Sequence, residues 1–570
     1  MNGDASAAPL HIRWLGTVPY GEAADLQRAL LEHGSGDRLL LLEHPHVYTL
    51  GVNAETANVL VDPATVGAEL VRADRGGDVT YHGPGQLVGY PVLDVPGRRG
   101  GGIADTVAWV RSVEQVVIDA LGALGLSDAG RLEGYPGVWV GPGSDEPRKI
   151  AAIGVRLVRG RSMHGFALNV EPDLAMFGHI VPCGIADKRV TSLAAEGIAV
   201  TMREVVDAIA DSAAANWAID RPVTRADVVW RIADDGSDLT PFSRGEGPGA
   251  LVRSVADHRD GPSVRVRGRL AEAGVASGLA VTERKPEWLR APVRLGERSL
   301  AVKRTVRDLG LVTVCEEAGC PNLSECWSEG TATFMLLGER CTRACGFCLI
   351  DTRRPAPPDV AEPERIAEAV ARMGLDHAVL TMVARDDLDD GGAAHVAATI
   401  RAVRDRVPGA AVEVLVSDLR GRPDAIDTVI DAAPDVFNHN VETVPRLQRA
   451  VRPSAGYARS LAVLARAGRA GLLTKSGIIV GMGETDDEVE LVLADLADIG
   501  VSIVTIGQYL RPTSTHLPVD RWVTPERFDE YRRVGRALGI AHVESSPLTR
   551  SSHHAGESLR SVAIDIGAGR

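Results

Sequence analysis

Aromatic residues are scarce, 4% of 570, and basic residues are outnumbered by acidic ones, 62 against 76, for a formal net charge of −14. Nucleic-acid binders gather phosphates with clustered Lys and Arg and stack bases on aromatic rings, so this balance argues against a nucleic-acid partner. No apolar run approaches the roughly 20 residues that a bilayer-spanning helix needs, and no membrane role is expected. The first residues, MNGDASAAPLHIRW, carry an acid and lack the apolar stretch of a secretory signal, which makes the cytoplasm the expected compartment. No Gly-Lys phosphate loop for ATP is found. Cysteine is nearly missing from the first half, where Cys183 stands alone, while the other six of the seven fall between Cys315 and Cys348. In a reducing compartment that distribution argues against a disulfide framework and for metal binding or catalysis.

The length exceeds what one hydrophobic core organises, so at least two domains are expected. Residues 10–220 mix short β-like runs, such as Leu39 to Leu42 and Val88 to Val92, with helical stretches such as Thr106 to Leu121, and read as an α/β domain. Residues 221–283 thin into DDGSDLTPFSRGEGPG and an Arg, Gly and Ala-rich stretch, a linker by composition. As a flexible chain it would span roughly 40 Å. Within residues 284–560, helices and strands alternate from about Glu364: helix to Met373, strand His377 to Val383, helix His395 to Val407, strand Val412 to Val416. Thr485 with Glu488 three residues on reads as a capping box, and Thr524 followed by Pro525 as another helix start. Such repeated βα units imply a parallel sheet, open or curled into a barrel.

The run Cys341-x3-Cys345-x2-Cys348 sets three thiolates on one short loop just ahead of these repeats. Three ligands on a cluster of four irons leave one iron open, able to chelate the amino and carboxylate groups of S-adenosylmethionine (SAM). A zinc site would favour two C-x2-C pairs and a closed tetrahedron. The run resembles the radical SAM superfamily, in which the aromatic before the last cysteine, here Phe347, lies against the adenine. Upstream, Cys315, Cys320 and Cys326 form a second three-thiolate set, C-x4-C-x5-C, with longer intervals than bacterial ferredoxins use. Together with KPEWLR, TFMLLGERCTRACGFC, RDDLDDGGA, DVFNHNVETVPRL, KSGIIVGMGET, TIGQYLRPT and RSSHHA, these motifs make the stretch from about Lys285 to Ala555 resemble lipoyl synthase. The resemblance implies a radical SAM partial (β/α)6 barrel, with two 4Fe–4S clusters and SAM as cofactors. It assigns Cys341, Cys345 and Cys348 to the SAM-binding cluster. Cys315, Cys320, Cys326 and Ser552 would hold an auxiliary cluster that is the source of inserted sulfur. Three positions depart from the family pattern: His553 stands for tyrosine, Met382 for serine and Ser417 for proline.

In the first half, Cys183 lies in HIVPCGIADKRVTSL. A free thiol, with a pKa of about 8.5, needs a nearby cation or base to act as a nucleophile, and Lys149 in RKIAAIGVR could be that group. A thiolate can exchange with an acyl thioester at little thermodynamic cost, after which a lysine amine can take the acyl group as an amide without ATP. Residues 36–200 resemble lipoyl (octanoyl) transferases, which share a fold with biotin and lipoate protein ligases, through EHPHVYTLG, RGGDVTYHGPGQL, KIAAIGVR, HGFALNV and PCGI. The resemblance implies an acylated Cys183, tuned by Lys149. It lays the acyl chain along Arg75, Gly76, Gly77, Asp78, Val79, Thr80, Tyr81 and His82, along Ala152, Ile153 and Gly154, and along Gly165, Phe166 and Ala167. His82 and His164 are polar contacts or packed side chains, and His82 is given no catalytic role. No acidic residue falls between Pro147 and Val170, so Arg156, Arg159 and Arg161 are expected to steer an acidic carrier protein.

The two resemblances together imply a bifunctional lipoylation enzyme: an octanoyltransferase joined through a linker to a lipoyl synthase. Implied partners are octanoyl-acyl carrier protein, the lipoyl domains of 2-oxoacid dehydrogenase complexes and glycine cleavage H protein, an electron donor such as ferredoxin or flavodoxin, and an iron–sulfur carrier. The alternatives are a chain in which one half only docks, and a radical SAM methylthiolating enzyme. The latter would carry a basic, aromatic RNA-binding module, against the composition here.

Overall fold

The computed structural model describes residues 8–97, 104–181, 188–229, 269–275, 278–279, 284–290, 296–328 and 332–568. Cys183 therefore lies outside the described residues, as does most of the 221–283 stretch. The chain divides into two units, Met1–Trp230 and Arg231–Arg570. No helix among the described residues is long and apolar enough to cross a membrane.

The first unit is α/β. Its main sheet contains β1 (Leu10–Thr17), β2 (Asp37–Glu43), β6 (Gln86–Val92), β7 (Ala129–Leu132), β8 (Tyr135–Val140), β9 (Arg148–Val158), β10 (Arg161–Asn169) and β12 (Val223–Asp227). Their order is β12-β1-β2-β6-β10-β9-β8-β7, and a two-residue strand, β11 (Arg189–Val190), pairs with β9. A smaller sheet joins β3 (Val47–Leu50), β4 (Glu69–Arg72) and β5 (Val79–His82) in the order β4-β3-β5. Because β12 runs parallel to β1, with Leu10 opposite Val223, the first unit includes residues beyond 220. Helices α2 (Thr106–Ala123) and α3 (Met202–Trp217) pack on one face of the sheet, over Leu39, Leu41, Leu87 and Phe166. Asp105 caps the first by accepting from Val107 N and Ala108 N, and Thr201 with Glu204 forms a capping box on the second. Side chains alternate across a strand, so Val88 and Tyr90 face the opposite side, toward Tyr20 of α1 (Tyr20–His33).

The second unit holds an all-parallel sheet in sequential order: β13 (Thr333–Leu336), β14 (His377–Met382), β15 (Ala411–Leu415), β16 (Val436–Asn438), β17 (Leu473–Val480), β18 (Ile503–Gln508) and β19 (His542–Ser545). Helices such as Glu362–Met373, Ala393–Arg406 and Asp486–Asp498 connect successive strands, the expected βα repeat, with a seventh strand beyond the six anticipated. The Thr485–Glu488 capping box forms as read from the sequence. Thr524 does precede a helix opened by Pro525, but its side chain makes no capping bond. The first of these helices stops at Gly374, whose φ of 60° is the left-handed conformation that glycine adopts without a Cβ clash. Strand alternation divides the sheet's two faces. Ala378, Leu380, Val412, Val414 and Phe437 meet the helices through Ile366, Val370, Ile400 and Val429. Val379, Thr381, Glu413, Leu415, Asn438 and Thr505 face a cavity.

Candidate functional site

In the first unit, a narrow cavity of about 50 Å³ lies against the main sheet. Arg75, Gly76, Gly77 and Asp78 line it from a loop, Thr80 and His82 from β5, Ala152, Ile153 and Gly154 from β9, and Gly165, Phe166 and Ala167 from β10. Three segments distant in sequence thus converge on one cavity, but Val79 and Tyr81 do not belong to the lining. The strand period of two turns them to the other face, buried against Tyr48, Leu50 and Met176, where the Tyr81 hydroxyl pairs with His46 Nδ1 at 2.8 Å. Glycine at 165 is sterically required: a Cβ there would lie 2.2 Å from Gly89 O and 2.5 Å from Pro91 Cδ. The Arg75 guanidinium does not stretch across the cavity. It donates to Thr49 O at 2.6 Å, Thr49 Oγ1 at 2.7 Å and Gly76 O at 3.1 Å, holding the glycine loop in place.

The histidines here are packed. His82 pairs with Gln86 Oε1 at 2.8 Å, and burial followed by the nearness of His44 holds its pKa well below the ordinary histidine value. Burial likewise lowers His164, although its Nε2 contacts Asp74 at 2.8 Å. His164 takes a left-handed φ of 60° inside β10, and its buried Nδ1 has no hydrogen-bond partner. Lys149 does not line the cavity. It sits on β9 opposite Trp139 of β8 and Val190 of β11, with Nζ 5.4 Å from the Trp139 ring centroid. The absence of a Cβ at Gly137 (φ 118°) leaves it room, since one would lie 2.7 Å from Lys149 Cε. The chain enters the Cys183 segment at Val181, whose N–H donates to Asn58 O at 2.8 Å, and Asn58 Nδ2 donates to cavity-lining Asp78 at 2.9 Å. It leaves that segment through β11, beside Lys149.

The arginine-steering expectation needs correction. Arg156 pairs with Asp74, Arg161 donates to Gly36 O and lies 3.4 Å from Asp94, and Arg148 is forked onto Glu196. The acids missing from the local sequence come from other strands and loops, so Arg156 and Arg161 are compensated, while Arg159 stands exposed at the turn between β9 and β10.

In the second unit, a cavity of about 280 Å³ gathers both cysteine sets. Cys315, Cys320, Phe347, Cys348, Ser551 and Ser552 all line it; Cys326, Cys341 and Cys345 do not. Cys326 sits on the helix Leu323–Ser328. None of these six cysteines is joined in a disulfide. Burial, then Cys320, pushes the Cys315 thiol up to about 11, and burial drives Cys345 up to about 12. Metal ligation suits such groups, because a cation supplies the charge that makes a buried thiolate tolerable. Between Cys341 and Cys345, Arg343 is buried and donates to Asp386 through Nε and Nη2, both at 2.8 Å, and to fully buried Asp418 at 2.6 Å, anchoring the loop.

A polar chain crosses the inner face, and its members carried no assignment from sequence. Lys475 Nζ donates to Glu413 Oε1 at 2.9 Å and Oε2 at 3.1 Å. Asn438 Nδ2 donates to Glu413 Oε1 and to Ser551 Oγ, both at 2.9 Å, and Asn440 Nδ2 donates to Glu442 Oε1 at 3.0 Å. Burial raises Glu413, but Lys475 and His377 beside it together more than offset this and hold the carboxyl at about 2. One signal was available: an acid inside the otherwise apolar strand AVEVL. Of the departures from family pattern, Met382 points to the helix side, in the core with Leu337 and Ala393. Ser417 accepts from Leu419 N at 3.3 Å in the turn carrying Asp418. His553 is buried.

Residues 19–214 match the lipoyl protein ligase A/B catalytic domain, and residues 335–496 match the radical SAM superfamily. A lipoyl synthase of Rubrobacter xylanophilus is 58% identical over 275 residues, covering 48% of this chain and 86% of its own length. The chain belongs to the lipoyl synthase family. A lipoyl synthase of Mycobacterium tuberculosis is 50% identical over 295 residues, 52% of this chain and 95% of the relative. A solved bi-partite lipoate protein ligase from Thermoplasma acidophilum is 20% identical, covering 39% of this chain and 88% of its own, with a TM-score of 0.33. Lipoyl synthase accounts for the second half only; the first half adds a lipoyl protein ligase A/B catalytic domain, so the chain joins a transferase to a radical SAM sulfurtransferase. Radical SAM membership implies SAM and a 4Fe–4S cluster, and the three free thiols of the 341–348 loop fit that group.

Proposed function

We propose that this chain performs protein lipoylation in two steps, moving an octanoyl group onto a lipoyl-domain lysine and then inserting sulfur at C6 and C8 of that group. The observation that carries the proposal is the presence in one polypeptide of a lipoyl ligase-type domain and a lipoyl synthase, whose chemistries act in succession on one acyl chain. In the first step the Cys183 sulfur attacks the thioester of octanoyl-acyl carrier protein, releasing the carrier's thiol. The lysine amine then attacks the new thioester, an amide forms, and the Cys183 thiol is returned. Geometry supports the assignment at both ends of the segment. Val181, two residues before Cys183, is tied through Asn58 to cavity-lining Asp78, and two residues reach no further than about 7 Å. Val190, beyond it, pairs with Lys149. The narrow cavity between β5, β9 and β10 would take the octanoyl chain.

In the second unit, Cys341, Cys345 and Cys348 would hold the SAM-binding cluster, with Phe347 beside the adenine. Cys315, Cys320 and Cys326, with Ser552, would hold the auxiliary one. Bound there, the clusters and SAM supply a hydrogen-abstracting radical and the sulfur to be inserted. The protein's own part is to bring the acyl chain into the 280 Å³ cavity that Cys315, Cys320, Cys348 and Ser552 line, and to fix that wall through the Lys475–Glu413–Asn438–Ser551 chain. Lipoyl domains of 2-oxoacid dehydrogenase complexes and glycine cleavage H protein would be acceptors, ferredoxin or flavodoxin the electron donor, and an iron–sulfur carrier would rebuild the auxiliary cluster.

The test is to incubate iron-loaded protein with octanoyl-acyl carrier protein and a lipoyl domain, then to weigh the domain. Mass gains corresponding to octanoyl and then to two sulfurs are expected, with an octanoyl adduct on Cys183. Transfer that persists in Cys183→Ala, or an adduct elsewhere, refutes the first step.

A further inference from the structure

Directly after Ser552 the tail places two histidines side by side. The His553 and His554 ring centroids are 3.8 Å apart with an interplanar angle of 26°. Across from them stands Glu544 of β19, with Oε1 3.9 Å from His554 Nδ1. One donor atom from each of Glu544, His553 and His554 lies within 4.8 Å of the other two. His553 is only 8% exposed, yet neither of its ring nitrogens has a hydrogen-bond partner; its nearest ionic neighbour is Glu325, 3.8 Å from Nε2. A buried imidazole normally satisfies at least one nitrogen, so an unpartnered His553 that sets one ring nitrogen beside a second imidazole and a carboxylate points to a missing ligand. A neutral imidazole has one N–H donor and one lone-pair nitrogen able to bind a metal ion, and two His with one Glu are a recurrent donor set for Zn²⁺. A tetrahedral ion about 2.0 Å from each donor would draw the donors to roughly 3.3 Å from one another, inside the 4.8 Å within which they now lie.

From this geometry we propose that Glu544, His553 and His554 form a binding site for a divalent transition-metal ion, zinc being the probe, separate from the cysteine sites. The ion would tie the RSSHHA tail to β19 and so fix Ser551 and Ser552, which line the large cavity immediately before it. The site does not depend on the two-step reading above, because its test reads metal content and ligand shell and not lipoylation.

Full-length protein carrying its iron–sulfur clusters is incubated with Zn²⁺, freed of loosely held metal by gel filtration, and assayed for zinc and iron together. Zinc K-edge absorption then reads the ligand shell. One zinc per chain is expected, in a nitrogen and oxygen shell near ~2.0–2.1 Å. Occupancy should fall at least tenfold in Glu544→Gln and in His554→Asn at unchanged iron content. Absence of zinc, a sulfur shell near ~2.3 Å, or zinc retained in both variants overturns the proposal. The shell of the unsubstituted protein decides the matter even where a substitution disturbs folding.

Discussion

Replacing Arg343 by methionine should destabilise the second unit by about 3–5 kcal/mol, the range for removing one partner of a buried ion pair. The burden falls on Asp418, which is fully buried, while Asp386 is 29% exposed and can be rehydrated. Burial pushes the Asp418 carboxyl up, and the adjoining Arg343 guanidinium more than offsets that, holding it at about 2 against an ordinary 3.8. A depressed carboxyl stabilises the fold above its unfolded pKa and ceases to do so as pH falls toward its folded one. That drop is worth roughly 2 kcal/mol of native stability, present at pH 7 and lost between about pH 4 and pH 2. In Arg343→Met the opposing guanidinium is gone and Asp418 titrates higher, so the variant's deficit should narrow as pH falls through this window. The assay is equilibrium urea unfolding of iron-free protein at pH 7 and pH 3, read by a brief hydrogen-exchange pulse at one fixed pH on peptides of the second unit. Peptides keep the first unit's unfolding separate. A deficit under about 1 kcal/mol at pH 7, or one that does not shrink on acidification, would refute the reasoning.

Gly165→Ala should abolish octanoyl transfer and lower stability by about 1–3 kcal/mol, because its Cβ meets Gly89 O and Pro91 Cδ; thermal unfolding and a transfer assay check both. Lys149→Ala should slow acylation of Cys183 strongly while sulfur insertion into an already octanoylated domain continues, as followed by mass spectrometry. Cys345→Ala should form no 5'-deoxyadenosine, whereas Cys320→Ala should still form it and yet yield no lipoyl product, which chromatography of the two products distinguishes. Lys475→Met strands the buried Glu413 carboxylate and should cost about 3–5 kcal/mol in urea unfolding, part of it recovered in the double variant with Glu413→Gln.

Local features were legible in the sequence wherever neighbours along the chain dictate the physics. The thiol spacing of Cys341, Cys345 and Cys348 shows itself within eight residues, the capping box of Thr485 and Glu488 within four, and the βα alternation within each repeat. The three segments that line the first cavity were likewise named from sequence, apart from Val79 and Tyr81, where the strand's two-residue period decided which side chains turn inward. What sequence could not supply was pairing across distance. Arg156 and Arg161 looked like an unopposed basic stripe until folding brought Asp74 and Asp94 against them from 82 and 67 positions away. Lys475 and Glu413 sit in separate strands, and only the register of a parallel sheet lays an ammonium on a carboxylate where neither reaches water. The meeting of Cys315, Cys348 and Ser552 on one cavity wall has the same origin. Covalent spacing constrains residues a few positions apart, whereas residues hundreds of positions apart meet only where packing of the sheet and its helices puts them.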